Sequence, residues 1–229
     1  MMQSIAGLSL RWPYVNDSCC LALVDDEPDG PASGAAQLLS TAEEAEGRAK
    51  SSPAAYRAWL LGRLAAKAAA ARFWQLSPEQ VKIVRSPDGR PLLRLPGNQT
   101  GQVSISHTAG AAVAVVGKGP YGLGVDLERL DRSIDDRAWH WAFDAEERGL
   151  TEKASRTGFP PRLALWCAKE AAGKAHGLAL LNNLSLVRAV AADWTDGLLR
   201  VSLSGPENTE TTVKLIACGP YLTVLAGAA

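Results

Sequence analysis

The sequence predicts an α+β protein made of two similar halves, each a small antiparallel sheet packed on one long helix. Three observations predict it. Two helical segments stand out, residues 53–74 and 162–176, and each follows a proline signal. Short runs rich in Val, Leu and Ile flank both segments and are separated by turn residues. The succession of strand, short helix, long helix and further strands occurs twice, an α+β layering. The two halves are expected to span residues 1–118 and 119–229.

In the first half, residues 21–24 read as a short strand and residues 25–34 as a loop rich in Asp, Pro and Gly. Ser40-Thr41-Ala42-Glu43 has the form of a capping box, in which an N-cap hydroxyl and the third helical side chain exchange backbone hydrogen bonds. Ser52-Pro53 opens the long Ala/Leu helix, with proline at a first-turn position where its missing N–H costs nothing. Ser77-Pro78 starts a turn into a strand at 81–84, and Pro87-Asp88-Gly89 is a tight turn. Residues 103–106 and 111–116 read as a hairpin turning near Ala109-Gly110.

The second half begins with a strand at 123–128 and a polar loop at 131–136. Helices follow at 138–143 and 145–153. Gly158-Phe159-Pro160-Pro161 breaks the chain before the helix 162–176, with Gly177 at its C-cap. Strands are expected at 184–189, 198–203, 211–218 and 221–225. His140 lies between Trp139 and Trp141, an expected aromatic cluster.

Composition excludes several classes. The 229 residues carry 24 basic and 24 acidic side chains, a net charge of zero, without the basic surface that nucleic-acid binding requires. No long apolar run reads as a membrane span, and the N-terminus lacks a charged region followed by an apolar stretch. Cys19, Cys20, Cys167 and Cys218 lack metal-type spacing and fit a reduced cytoplasm. Cys167 reads as a small buried residue. The three histidines, His107, His140 and His176, are too scattered for a zinc site.

Two segments carry chemistry. In the strand, Gly124, Asp126 and Glu128 alternate with Leu123, Val125 and Leu127, so both carboxylates point to one face and the apolar residues to a core. Same-face neighbours stand about 7 Å apart, within reach of one cation. Gly122 and Gly124 would leave room for a bulky ligand. The competing reading is an amphipathic strand with its acidic face in water. In the helix, Trp166, Glu170, Gly173 and Lys174 share a stripe with Lys169 at its margin. Glu170 can supply a metal oxygen or accept a proton, and the lysines can neutralise phosphate. A simple Glu170–Lys174 surface pair would be worth only about 0.2–0.5 kcal/mol.

Gly-Val-Asp-x-Glu at 124–128 with Trp-x-x-Lys-Glu-x-x-x-Lys at 166–174 resembles the 4′-phosphopantetheinyl transferases. Further segments match in the family's order: Arg85-Ser86-Pro87-Asp88-Gly89-Arg90-Pro91, Val103-Ser104-Ile105-Ser106-His107, Phe143-Asp144-Ala145-Glu146-Glu147 and Gly177-Leu178. The pattern is similar to the surfactin-type branch, in which one chain holds both halves of the site. The resemblance implies a pseudo-two-fold duplication, a monomer, and coenzyme A lying between the halves. It also implies a reaction: phosphopantetheine passes from coenzyme A to a serine of an apo acyl or peptidyl carrier protein, with Mg²⁺, leaving adenosine 3′,5′-bisphosphate.

By the same resemblance Asp126, Glu128 and Glu170 would hold Mg²⁺ against the pyrophosphate. Lys174, with Lys169 nearby, would face the phosphate. Glu170 or Glu147 would take the serine proton, directly or through water. Ser106 and His107 would contact phosphate, Arg85, Gly89, Arg90 and Pro91 would line the nucleotide end, and Arg48 would reach the 3′-phosphate. The sequence departs from the family at Thr41-Ala42-Glu43-Glu44-Ala45-Glu46, acidic where basic residues are common and therefore repelling to a phosphate. Arg90 replaces a more usual lysine, and Ser104 an asparagine. Two other functions compete: a module that grips coenzyme A or a carrier without chemistry, and a Mg²⁺-dependent phosphohydrolase, which would need a carboxylate-rich helix absent here.

Overall fold

The computed structural model describes residues 3–25, 34–87, 89–118, 122–155, 158–178, 184–191, 198–203 and 210–227. The chain divides into two compact units, Met1–Pro120 and Tyr121–Ala229. Asp88, in the expected tight turn, lies outside the described residues.

The first unit is a seven-stranded antiparallel sheet. Its strands are β1 (Gln3–Ile5), β2 (Leu8–Val15), β3 (Cys19–Asp25), β4 (Lys82–Arg85), β5 (Pro91–Arg94), β6 (Thr100–Thr108) and β7 (Ala111–Gly117), in the order β1-β2-β3-β7-β6-β5-β4. The sheet is larger than the sequence suggested. β1, β2 and β5 were not anticipated, because β2 contains Pro13 and shifts register between Arg11 and Tyr14, while β5 starts on Pro91. Proline is admitted at such bulges and strand starts but hides the strand signal.

Two helices cover one face. α1 (Thr41–Arg48) has the expected capping box: Ser40 N donates to Glu43 Oε2 at 2.9 Å, and Glu43 N donates to Ser40 Oγ at 3.4 Å. α2 (Pro53–Trp74) starts at the Ser52 N-cap and ends at Gln75 in the left-handed conformation. Its Leu60, Leu61, Leu64 and alanine side chains pack on Cys20, Ala22, Val24, Ala112, Ala114 and Val116. The alanines bring helix and sheet close: a Cβ on Gly62 would lie 2.8 Å from Ile105 Cγ2.

The second unit contains β8 (Gly124–Arg129), α3 (Asp136–Ala142), α4 (Ala145–Gly149), α5 (Thr151–Ala154), α6 (Pro161–Ala175), β9 (Val187–Ala191), β10 (Leu198–Leu203), β11 (Glu210–Cys218) and β12 (Tyr221–Ala226). The sheet order is β8-β12-β11-β10-β9. The helix expected over 145–153 is divided at Leu150, and residues 184–186 form a 3₁₀ turn before β9. The aromatic cluster also differs. His140 and Trp141 are exposed, and Trp139 packs on Phe143 at 4.1 Å between ring centroids. Helical spacing of four, not adjacency, puts those two rings on one face.

The units repeat one plan. β3-β7-β6-β5-β4 corresponds to β8-β12-β11-β10-β9, with the long helix entering after the first strand of each set. The registers align them: Asp25 pairs with Ala111 and Arg129 with Tyr221, each partner being the first residue after a hairpin turn. Ala22 therefore corresponds to Asp126, and Val24 to Glu128.

A buried lock also recurs. Asp144 caps α4 as Ser40 caps α1, with Glu147 in the place of Glu43. Glu43 accepts from Ile83 N at 3.2 Å and pairs with Lys67 of α2 at 3.1 Å; Glu147 accepts from Ala189 N at 2.8 Å and pairs with Lys169 of α6 at 2.8 Å. Each lysine also donates to a backbone carbonyl, of Val81 and Ala142 respectively. Counting along the helices from these lysines, Ala68 corresponds to Glu170 and Arg72 to Lys174.

Candidate functional site

In the second unit, β8 and α6 are in backbone contact. A Cβ on Gly122 would fall 1.7 Å from the Ala175 carbonyl oxygen, and one on Gly124 would fall 1.8 Å from that of Ala171. The room anticipated for a ligand at these glycines is thus filled by the helix. Val125 and Leu127 are buried, as anticipated, but so is the face that carries Asp126. Leu222, Val224 and Ala226 lie opposite Glu128, Asp126 and Gly124, on the same face, and belong to the core beneath α6. Asp126 is only 1% exposed and does not sit on a wet acidic face.

This approach sets Asp126 beneath the polar stripe of α6. Lys174 Nζ donates to Asp126 Oδ1 at 2.8 Å and to the Val125 carbonyl at 3.1 Å, and lies 3.6 Å from Glu170 Oε2. Trp166 Nε1 donates to Glu170 Oε1 at 2.8 Å, fixing that carboxyl. Burial, then the Asp126 charge, push the Glu170 carboxyl up, against the pull of Lys174 and the indole N–H. Partial burial opposes the Lys174 charge, but Asp126 and Glu170 outweigh it and hold the amine above its ordinary value. Cys167 is fully buried, and burial, with Asp126, drives its thiol well up, so it is no nucleophile at neutral pH.

Glu128 is the next same-face carboxylate, and its carboxyl is paired with the Arg132 guanidinium, which in turn lies 5.7 Å from the Trp166 ring centroid. Asp126 and Glu170 suit a hard cation: both are carboxylates, and both converge on Lys174 Nζ, at 2.8 and 3.6 Å. Among the described residues no three acidic, His or Cys side chains gather into a metal cluster.

The first unit holds a cavity of about 350 Å³ lined by Lys50, Trp59, Arg63, Arg85, His107 and the turn residues Gly89 and Pro91, among others. At its wall three cations converge on one carboxylate. Arg63 Nη2 donates to Glu46 Oε2 at 2.8 Å, Arg85 Nε to Glu46 Oε1 at 3.0 Å, and Lys50 Nζ to the same oxygen at 3.4 Å. Arg63 and Lys50 also lie over the Trp59 ring, 5.2 and 5.7 Å from its centroid. The buried Arg63 Nε and Trp59 Nε1 have no hydrogen-bond partner. Burial works to raise the Glu46 carboxyl, but Arg63, Arg85 and Lys50 prevail and hold it down at about 2.

Residues 122–221 match the model of ACPS, the 4′-phosphopantetheinyl transferase superfamily. The match lies within the second unit. No curated protein matches the chain. The match covers β8 and α6 whole, and so contains every side chain of the Asp126–Glu170–Lys174 cluster.

Of the residues singled out from the superfamily pattern, Asp126, Glu170 and Lys174 come together. Lys169 and Glu147 go elsewhere: they are 0% and 3% exposed and form the lock described above. Arg85, Gly89, Pro91 and His107 line the cavity. Arg90 does not line it; its carbonyl accepts from Ser86 N and Oγ in the turn. Ser106 is buried on the opposite sheet face from His107, as strand alternation requires. Arg48 is 76% exposed and pairs with Glu44. Lys50, Trp59 and Arg63 were missed as cavity residues. Arg63 sits four residues after Trp59 on a helix, a spacing that could have signalled their shared face.

Proposed function

We propose that this protein transfers 4′-phosphopantetheine from coenzyme A to a serine of an apo acyl or peptidyl carrier protein. The superfamily match supports phosphopantetheine transfer as the class of activity. The observation that carries the finer reading is the convergence of Asp126, Glu170 and Lys174 at 2.8–3.6 Å from two distant chain segments. In the reaction the serine Oγ forms a bond to the phosphorus carrying pantetheine, and the bond from that phosphorus to the adenosine bisphosphate oxygen breaks. Such transfers are governed by positioning and charge neutralisation.

Asp126 and Glu170 are the side chains that would hold Mg²⁺, with Glu128 beside them once it leaves Arg132. The ion supplies positive charge to the pyrophosphate when bound. Lys174, kept charged by its two carboxylates, stabilises the oxygen that departs. We assign the serine proton to Glu170, directly or through water, because its carboxyl is partly exposed at the cluster whereas that of Glu147 is buried. The Glu147 carboxylate already accepts from Asp144 N, Ala189 N and Lys169. The cationic cavity of the first unit is proposed to take the phosphate-bearing nucleotide end of coenzyme A.

The test is incubation with coenzyme A, Mg²⁺ and an apo carrier protein, followed by intact-mass measurement of the carrier. A gain of one phosphopantetheine is expected. Coenzyme A binding without gain would indicate a binding module, and coenzyme A cleavage without gain would indicate a hydrolase; either overturns the proposal.

A further inference from the structure

An acidic residue, Glu46, is the centre of the cation cluster at the cavity wall. Glu46 is the shared acceptor of Lys50, Arg63 and Arg85, which come from just beyond α1, from α2 and from β4. Its position is built in. Gly47 lets α1 press on Trp59, where a Cβ would fall 2.7 Å from Cζ3 of the indole. Trp59 in turn backs the two cations.

Three positive charges against one negative leave the cluster at plus two. The cavity also keeps two buried donors without partners, Arg63 Nε and Trp59 Nε1, each on a side chain more than nine-tenths buried. Unsatisfied donors of this kind cost free energy. A phosphate monoester carries about −1.5 to −2 charge near neutrality and three acceptor oxygens, matching both features. It would nevertheless meet Glu46 already bound to the cations it needs, and like charges at close range repel.

We propose that Glu46 is a specificity-determining residue that competes with the ligand's phosphate for Lys50, Arg63 and Arg85 and so weakens the cavity's preference for a phosphate-ended nucleotide. The proposal rests on the functional reading above, since it takes the nucleotide of coenzyme A as the occupant. Charge removal at Glu46 should therefore tighten phosphate binding, whereas loss of a positioning residue would slacken it.

Calorimetric titration of coenzyme A and 3′-dephospho-coenzyme A into the wild-type protein, Glu46→Gln and Glu46→Asp tests it. Glu46→Gln should bind coenzyme A about tenfold more tightly, the equivalent of about 1.4 kcal/mol, and dephospho-coenzyme A within about twofold of wild type. Glu46→Asp, which keeps the charge, should behave like wild type. Glu46→Ala supplies the same comparison if the Gln variant does not fold. Coenzyme A binding that is unchanged or weaker in the charge-removed variant overturns the proposal, as does an equal gain for both ligands. If neither ligand binds any of these proteins, the functional reading fails and this inference falls with it. Coenzyme A binding to wild type without the Glu46 effect refutes the inference alone.

Discussion

Gly124 and Ala171 meet backbone to backbone: a Cβ on the glycine would stand 1.8 Å from the Ala171 carbonyl oxygen and 2.7 Å from the Ala175 nitrogen. That contact is what brings Asp126, two residues along β8, under Lys174, three residues along α6. Neither obstacle is a flexible side-chain tip, so Gly124→Ala must move strand or helix as a body. Overpacking of this kind costs about 1–3 kcal/mol, and more where backbone is involved. We expect Gly124→Ala to lose at least about 2 kcal/mol in urea unfolding and to lose transfer activity even where it remains folded. Full activity with wild-type stability would contradict the strand–helix contact as the device that assembles the site.

The same residues show how far the sequence could be read. The alternation of Asp126 and Glu128 with Val125 and Leu127 correctly put both carboxylates on one face, because strand periodicity is local. Alternation alone does not say which face a helix will cover, and here α6 covers the acidic one. The spacing of Trp166, Glu170 and Lys174 correctly gave one helical stripe. Lys169, one position away, is turned through roughly 100° and enters the core instead, where it pairs with Glu147. That partnership spans 22 residues and depends on the α4 cap, so it was hidden from any local pattern. The capping box at Ser40 was legible in full; that its Glu43 also neutralises Lys67 was not, for the same reason.

The contact between Asp126 and Lys174 separates stability from chemistry. Asp126 is almost wholly buried, so Lys174→Met would leave its carboxylate without a cation in the core. Removing one partner of a buried pair costs about 3–5 kcal/mol, toward the lower end here because Lys174 is partly exposed. Asp126→Asn in the same protein removes the stranded charge, and the double variant should regain most of the lost stability. Transfer should fall by about 100-fold or more in both single variants and not recover in the double, since positive charge at the phosphate is gone. Recovery of activity together with stability would show that the pair is only structural. A double-mutant cycle of urea midpoints alongside carrier mass measurements reads both quantities.

Glu147 and Glu43 make a matched comparison. Both cap a short helix, accept from a strand amide and neutralise a buried lysine, though only Glu147 lies within the superfamily match. If Glu147 is structural, Glu147→Ala and Glu43→Ala should each destabilise by about 3–5 kcal/mol, with the Lys169 and Lys67 charges left uncompensated. Glu147→Gln retains an acceptor and should leave the turnover of folded protein within a few-fold of wild type. Glu170→Gln should leave the fold intact and abolish turnover. A Glu147→Gln protein that is well folded but inactive would reassign the proton acceptor.

Glu46 ties stability to pH in the first unit. Its carboxyl is held at about 2 in the folded state against an ordinary value of 4.5, so folding favours the charged form. The stabilisation is complete above pH 4.5 and is lost as pH falls from 4.5 toward 2, where the folded carboxyl takes up its proton. Allowing for solvent screening of a partly exposed group, the contribution is about 1–2 kcal/mol. Glu46→Gln should therefore be less stable than wild type by that amount at pH 7, and the two stability curves should converge as pH approaches 2. Curves that stay parallel from pH 5 to pH 2 would show that Lys50, Arg63 and Arg85 do not hold the Glu46 charge. The expected loss of stability runs opposite to the expected gain in coenzyme A affinity. A cation cluster that needs a resident carboxylate while unliganded, and is hindered by that carboxylate when phosphate arrives, has to show both effects in the same variant.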